Sequence, residues 1–301
     1  MSGAEIPTLV AAVEAGGTKV RAAIGDASGA LRAEATIPTA RPGETLTAVI
    51  EFLRGAGLPA AGLGVAAFGP IDLDPHSPGY GRLLATPKEG WTGTDVLGIL
   101  RNGLGIPAAV DTDVGAAALA EWRWGACRGL DAAVYITVGT GIGGGIILGG
   151  EVHHGAGHPE VGHIPVERRS GDDFPGCCPF HGACLEGMAS GAAVGQRWGR
   201  PAGELAGREE VWDLEADYLA QAVRAVTYVV APQRVVFGGG VLRREGLIGL
   251  IRERTGEQLG GYAASPDLLG GLSDYVAGTA LGQDAGLLGA VALGLRAAGE
   301  G

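Results

Sequence analysis

Two stretches of this chain follow the same plan, and that repetition limits the fold more than any other feature. Thr8 to Val13 is a short apolar run that leads through Glu14-Ala-Gly-Gly-Thr-Lys19 into a second apolar run, Val20 to Ile24. Ala132 to Val138 leads in the same way through Gly139-Thr-Gly-Ile-Gly-Gly-Gly145 into Ile146 to Leu148. Each reads as strand, glycine turn, strand. A chain of 301 residues with two such hairpins well separated along it points to two related halves, each with its own core.

Between and after the hairpins, helical and strand patterns alternate. Glu44 to Gly55 places Leu46, Val49, Ile50 and Leu53 on one face, Leu63 to Phe68 reads as a buried strand, and Asp72 to Gly93 as a loop. Thr94 to Gly103 reads as a helix, Ala108 to Val110 as a strand, and alanine-rich Ala116 to Trp124 as a helix with Asp113 just ahead of it. Helices are expected over Ala189 to Trp198, Asp213 to Val230 and Leu287 to Leu295, with a further one near the glycines that follow strand Arg234 to Phe237. The alternation implies an α/β chain with largely parallel sheets. We expect a small N-terminal domain over 1–112, a larger one over 113–285, and a final helix near 286–301 that packs back on the first.

Charge and cysteine usage exclude some partners. With 22 Lys and Arg against 33 Asp and Glu, the formal charge of −11 opposes nucleic acid and anionic membranes. The N-terminal residues lack a basic flank and a long apolar run, so no signal peptide or membrane span is expected, and a cytoplasmic location follows. The four cysteines suit thiolate ligands in a reducing compartment better than disulfides.

Three of those cysteines fall within Gly157 to Gly187. Cys178, His181 and Cys184 form C-x-x-H-x-x-C, and His163 lies fifteen residues before Cys178, a zinc-type ligand set. Four protein ligands leave no open position, so such a metal is structural. Cys177 is an alternative to Cys178, and Cys127 reads as a small core residue. Glu160 and Glu186 flank the ligands and are fixed with them, or are solvated loop acids. His153, His154 and His158 are surface residues or extra polar contacts to a substrate.

The segment Gly139 to Gly144 fits G-x-G-x-x-G, but a strand follows where the dinucleotide fingerprint needs a helix. Amides of a bare glycine hairpin can still wrap a polyphosphate. Two such hairpins and the turn Gly238 to Gly240 suit a nucleotide held in a cleft. Lys19 beside its glycines is a phosphate contact or an ordinary solvated lysine, and Asp113 a catalytic carboxylate or a helix cap.

The segments EAGGTK, FGPIDLDP, TPKEGW, DTDVGAAALAEW, VYITVGTGIGGG, HPEVGHI, CPFHGACLEG and VVFGGG occur in this order from about Val10 to Leu295. In that set the chain resembles the ROK sugar kinases, and within them the zinc-containing bacterial fructokinases. The resemblance implies the actin-like ATPase (ribonuclease H-like) fold, two α/β domains flanking a cleft, with ATP, magnesium, a structural zinc, a hexose substrate and a homodimer. It implies phosphate binding by Gly16, Gly17, Thr18 and Lys19 and by Gly139, Thr140, Gly141, Gly143 and Gly144, and adenosine binding by Gly238, Gly239 and Gly240. Asp113 corresponds to the catalytic base, Gly69, Thr112, Glu160, His163 and Glu186 to sugar-binding positions, and His163, Cys178, His181 and Cys184 to the zinc ligands.

Gly115 stands where many of these kinases carry Asn, and Thr112 where many glucose-specific ones do. D-Fructose is the expected substrate, with glucose, mannose or N-acetylmannosamine as alternatives. A sugar-sensing transcriptional regulator is the reading from another class; the first strand begins by Thr8 and the charge is wrong for DNA, so neither favours it.

Overall fold

The computed structural model describes residues 7–86, 88–262, 268 and 272–300. Pro87 of the TPKEGW segment and residues 1–6 and 301 of the expected first domain with its final helix lie outside these. The chain divides into two compact units. Unit 1 runs to Trp124 and adds His154–His158 and the residues from Asp284; unit 2 comprises Gly125–His153 and Pro159–Gln283.

In unit 1, β1 (Leu9–Ala15), β2 (Lys19–Asp26), β3 (Leu31–Pro38), β4 (Leu63–Ala67) and β5 (Ala108–Thr112) form one sheet in the order β3-β2-β1-β4-β5. The β1/β2 and β2/β3 pairs are antiparallel, while β1/β4 and β4/β5 are parallel. Helices α1 (Pro42–Gly55) and α2 (Val96–Leu104) bury Leu46, Val49, Leu53, Leu97 and Leu100 with Val13, Ile24 and Val65 of the strands. Burial of such side chains stabilises the unit by roughly 1.5–3 kcal/mol each. Trp91 of the TPKEGW segment is fully buried here; its indole N–H donates to Ala40 O at 2.9 Å, and Phe68 meets its ring edge-on.

Unit 2 repeats the plan. Its strands β6 (Ala132–Val138), β7 (Ile142–Leu148), β8 (Glu151–Val152), β9 (Arg234–Gly238) and β10 (Val276–Gly278) lie in the order β10-β9-β6-β7-β8. Again the hairpin pairs are antiparallel and the later strands add in parallel. The sheets are therefore mixed, not largely parallel as expected, because each half begins with a hairpin. Helices α4 (Leu185–Ala189), α5 (Gly191–Trp198), α6 (Glu209–Val230) and α7 (Leu247–Leu259) belong to this unit. Their core joins Met188, Trp212, Tyr218 and Ile251 to Ile136 and Phe237 of the sheet.

Several boundaries differ from those expected. The helix read over Ala189 to Trp198 is two helices, since Ser190 is extended between α4 and α5 and its hydroxyl accepts the Ala193 N–H at 3.1 Å. Helix α3 (Asp113–Arg123) begins three residues earlier than its alanine run, and unit 1 ends after it rather than at Thr112. The reason is packing: α3 buries Ala116 to Ala120 and lies along α8 (Ala285–Ala297), which itself covers β1 and β4. Among the described residues no helix is long and apolar enough to cross a membrane.

Candidate functional site

The first glycine turn closes β1 onto β2. Gly16 N–H donates to Lys19 O at 3.0 Å, and Thr39 braces the turn by donating its hydroxyl to Gly16 O at 2.7 Å and its N–H to Thr18 O at 3.0 Å. Gly17, Thr18 and Lys19 stay exposed, and a concavity of about 220 Å³ is lined by Glu14, Gly16, Gly17, Thr18, Lys19 and Arg21. Exposed amides next to a cationic side chain form an anion cradle.

Glu14 is missing from the sites expected from sequence. It stands one residue from the end of β1, its side chain 25% exposed, with Oε2 buried and without a hydrogen bond. The Arg21 guanidinium lies 3.5 Å from that oxygen and is also engaged by Glu34 and Asp284. Burial, opposed by Arg21 and reinforced by Asp113, pushes the Glu14 carboxyl up to about 7. Its acidic character beside the turn is visible in sequence; its burial is not.

Asp113 opens α3 but does not cap it. Thr112 is the cap: its hydroxyl accepts the Gly115 N–H at 2.9 Å, and Thr112 is buried. The Thr112 side chain is thereby committed to the turn. Asp113 Oδ1 accepts the Val114 N–H at 2.9 Å. Burial pushes its carboxyl up to about 6, against these backbone donors and the nearby His158.

Two residues before it, buried Asp111 accepts the Thr112 N–H at 2.7 Å and meets His154 Nε2 at 3.2 Å. This explains Gly115. A Cβ there would lie 2.9 Å from both Asp111 Cγ and Thr112 Oγ1 and closer still to Asp111 Oδ1, so the acid occupies the space a side chain would need. Gly69, just after β4, is half-buried beside His158.

In unit 2 the second glycine turn links β6 and β7. Gly139 N–H donates to Gly141 O at 2.9 Å, while the first residue of α5, Gly191, donates to Gly139 O at 2.7 Å. Glu186 Oε2 accepts the Ile142 N–H at 2.9 Å, and a Cβ at Gly141 would lie 2.6 Å from that oxygen. Thr140 is exposed, Gly143 half-buried and Gly144 buried in β7. Gly238 ends β9, and Gly239 and Gly240 follow it, Gly239 with φ +94° against the Val138 backbone.

The four knuckle residues converge. His163 ends a short 3-10 turn, Val161–His163, that Glu160 precedes. One ligand atom from each of His163, Cys178, His181 and Cys184 lies within 4.8 Å of the others. Cys178 Sγ is 3.9 Å from His163 Nδ1 and 3.7 Å from His181 Nδ1, and Cys184 Sγ is 3.6 Å from His163 Nδ1. A tetrahedron with Zn–S and Zn–N bonds of ordinary length has S···N edges of about 3.5 Å, so the donors fit a metal of that kind. Cys177 is not in the cluster; its thiol meets Ser190 instead, and its N–H donates to Gly187 O. Glu160 and His181 are exposed, Glu186 half-buried.

One family model matches nearly the whole chain, the ROK family over residues 10–297, a span that takes in both glycine hairpins, Asp113 and the cysteine-histidine knuckle. The chain belongs to the ROK family. Its two mixed sheets with flanking helices are those of the actin-like ATPase fold. A fructokinase of Zymomonas mobilis is 41% identical over 293 residues, covering 95% of this chain and 96% of that one. The ROK hexokinase of Thermus thermophilus superposes with a TM-score of 0.78 at 29% identity, covering 98% and 100% of the two chains. A ROK glucokinase of Streptomyces griseus, solved with glucose and AMPPNP, superposes with a TM-score of 0.77 at 26% identity, covering 96% and 99%. Within this ROK chain, unit 1 holds Asp113, Gly69 and the first hairpin, and unit 2 holds the second hairpin, the knuckle and the Gly238 turn.

Proposed function

We propose that this chain is a fructokinase that transfers the γ-phosphoryl group of ATP to the 6-hydroxyl of D-fructose. The observation that carries the reading is Asp113, a carboxylate held by the backbone at the head of α3, with its proton affinity raised toward neutrality, in the same unit as a phosphate-type glycine hairpin. The fructokinase name of the Zymomonas mobilis relative supports the sugar, and the ligands of the Streptomyces griseus structure support a hexose and a nucleotide.

Phosphoryl transfer needs positioning and charge stabilisation more than covalent help. The amides of Gly16, Gly17 and Thr18 with Lys19, and those of Gly139, Thr140, Gly141, Gly143 and Gly144, are assigned to the phosphates, and Gly238, Gly239 and Gly240 to the adenosine. Asp113 orients the attacking hydroxyl and accepts its proton. Gly69, Glu160, His163 and Glu186 receive the sugar hydroxyls; Thr112 serves the sugar by capping the turn that presents Asp113. Because His163 directs Nδ1 to the metal cluster, its Nε2 is the atom left for a hydroxyl.

Magnesium, when bound with the nucleotide, neutralises phosphate charge; Glu14, whose Oε2 is buried without a hydrogen bond, fits as a carboxylate to hold it. A zinc ion on His163, Cys178, His181 and Cys184 is structural and keeps Glu160 and Glu186 in place. A homodimer is also proposed; exposed Val229 and the exposed pair Tyr228 and Tyr262 on unit 2 offer apolar surface for it, and light scattering tests it.

The deciding experiment is coupled ADP release with magnesium and ATP across fructose, glucose, mannose and N-acetylmannosamine. Fructose should give the highest kcat/KM. A higher value for glucose would replace the sugar assignment, and no turnover with any hexose would sink the kinase reading.

A further inference from the structure

Residues His154–His158 belong to unit 1, although their neighbours in the chain on both sides belong to unit 2. This short strap needs an anchor, and the structure provides one. His154 Nε2 lies 3.2 Å from Asp111 Oδ1, and the Asp111 side chain is only 4% exposed. The same oxygen accepts the Thr112 N–H at 2.7 Å, so the anchor is part of the turn that presents Asp113. Buried carboxylates are costly without a partner, so the pair is a strong local constraint. Gly155 N–H donates to Gly157 O at 2.9 Å and tightens the strap between its two terminal histidines.

His158, at the other end, is brought to Gly69. Its Nε2 lies 3.6 Å from where a Cβ of Gly69 would stand, and its Cε1 3.8 Å, so the imidazole edge faces the glycine. The ring is also close enough to Asp113 for its charge to oppose the rise that burial gives that acid. His158 is half-buried. An imidazole can donate from one nitrogen and accept at the other, which suits a polyhydroxylated ligand whose neighbouring hydroxyls differ in orientation. Gly69 and Asp113 are the two unit 1 groups assigned to the sugar and its attacking hydroxyl.

We propose that His158 is a further hexose-contacting residue that helps set substrate choice, and that His154, through Asp111, is the positioning residue that holds it against Gly69. The inference rests on the kinase reading above. Discrimination follows because a polar group built to meet a hydroxyl is left unpaired when that hydroxyl points elsewhere.

The test compares wild type with His158→Ala, His158→Gln, His154→Ala and His154→Gln. Hexose dissociation constants are measured by calorimetry without ATP, and kcat/KM is measured for fructose, glucose and mannose. Loss of one hydrogen bond predicts hexose binding weaker by about tenfold in His158→Ala, with the fructose-to-glucose ratio of kcat/KM shifted by about fivefold and the KM for ATP unchanged. His158→Gln should recover part of the affinity. His154→Ala should raise the hexose KM with kcat near wild type, and His154→Gln, whose amide can still donate to Asp111, should restore it.

Both His158 variants folding with wild-type hexose affinity and selectivity would overturn the proposal while leaving the kinase reading intact. A His154→Gln variant no better than His154→Ala would overturn the positioning role. A wild-type protein that binds no hexose overturns both.

Discussion

Glu186 Oε2 accepts the Ile142 N–H at 2.9 Å, which ties the acid that follows the last knuckle cysteine to the turn between β6 and β7. The knuckle and the second glycine hairpin are thus one assembly within unit 2. Glu186→Gln keeps the shape and can keep an oxygen on Ile142, whereas Gly141→Ala sets a methyl group 2.6 Å from the carboxylate. We expect Gly141→Ala to impair nucleotide and hexose binding together, because relieving the clash displaces either the turn or the acid. Parallel ATP and hexose titrations of the two variants check this; a Gly141→Ala protein with only its ATP affinity reduced would show that the two sites are not coupled through Glu186.

Asp113 is the base in the proposed chemistry, so it must be unprotonated to act. Its carboxyl is pushed up to about 6, chiefly by burial. The kcat/KM profile for the hexose should therefore fall on the acid side with an apparent pKa of about 6, rather than in the ordinary aspartate range near 4. The Asp113 charge in turn raises the Glu14 carboxyl. Asp113→Asn should lower kcat by about a thousandfold while calorimetry still detects hexose binding. Near-normal turnover in that variant would remove Asp113 from the mechanism.

Glu14 makes a prediction about stability. Its folded pKa of about 7 lies above its ordinary value of 4.5, so the folded protein holds that proton more tightly than the unfolded chain. The associated stability is fully present below about pH 4.5 and is lost as pH rises through 7. In nucleotide-free and magnesium-free protein, Glu14→Gln should raise Tm at pH 8 and leave it nearly unchanged at pH 4. The gain is bounded by about 3 kcal/mol, since each tenfold difference in proton affinity between the folded and unfolded chain is worth about 1.4 kcal/mol. Equal Tm differences at both pH values would show that Glu14 holds its proton equally tightly in the folded and unfolded chain, with Arg21 offsetting the cost of burial.

Much of this is legible in local pattern. The two hairpins, α6 and the knuckle ligands carry their signals within short windows, and periodicity or metal-ligand spacing is enough to find them. Strand β3 escapes such a reading although Leu31, Ala33, Ala35 and Ile37 alternate with outward polar groups, because two of its four inward residues are alanines. Short β8 and β10 give even less pattern, and their pairing partners lie on other elements. The alanines of α3 reveal the helix but not its start, which is set by the Thr112 hydroxyl on the Gly115 amide. The raised Glu14 and the unit 1 strap depend on groups distant in sequence. No local pattern contains them.

Gly115 shows how a missing side chain can be informative. The space beside it is filled by Asp111, which is tied to His154. Gly115→Ala should be destabilising by about 1–3 kcal/mol through overpacking, despite alanine's better helix propensity. Combining it with Asp111→Ala should recover part of that loss, since the methyl group then has room. Urea denaturation of the two single variants and the double variant measures the coupling; strict additivity would mean that Asp111 does not occupy the contested space.

The knuckle predicts a joint loss of stability and sugar affinity. Cys184 Sγ is 3.6 Å from His163 Nδ1, and Cys184 immediately precedes α4, whose second residue is Glu186. Removing the thiolate leaves three ligands, and the remaining donors have less reason to converge. Purified wild-type protein should contain about one zinc per chain, as a four-donor closed site implies. Cys184→Ala should lose that metal, melt at a lower temperature, and bind hexose more weakly, while the unit 1 hairpin keeps its amides. A strong chelator should produce the same changes in wild type, and added zinc should reverse them there but not in the variant. A Cys184→Ala protein with unchanged Tm and unchanged hexose affinity would separate the metal from the sugar site altogether, leaving Glu160 and Glu186 fixed by the fold alone.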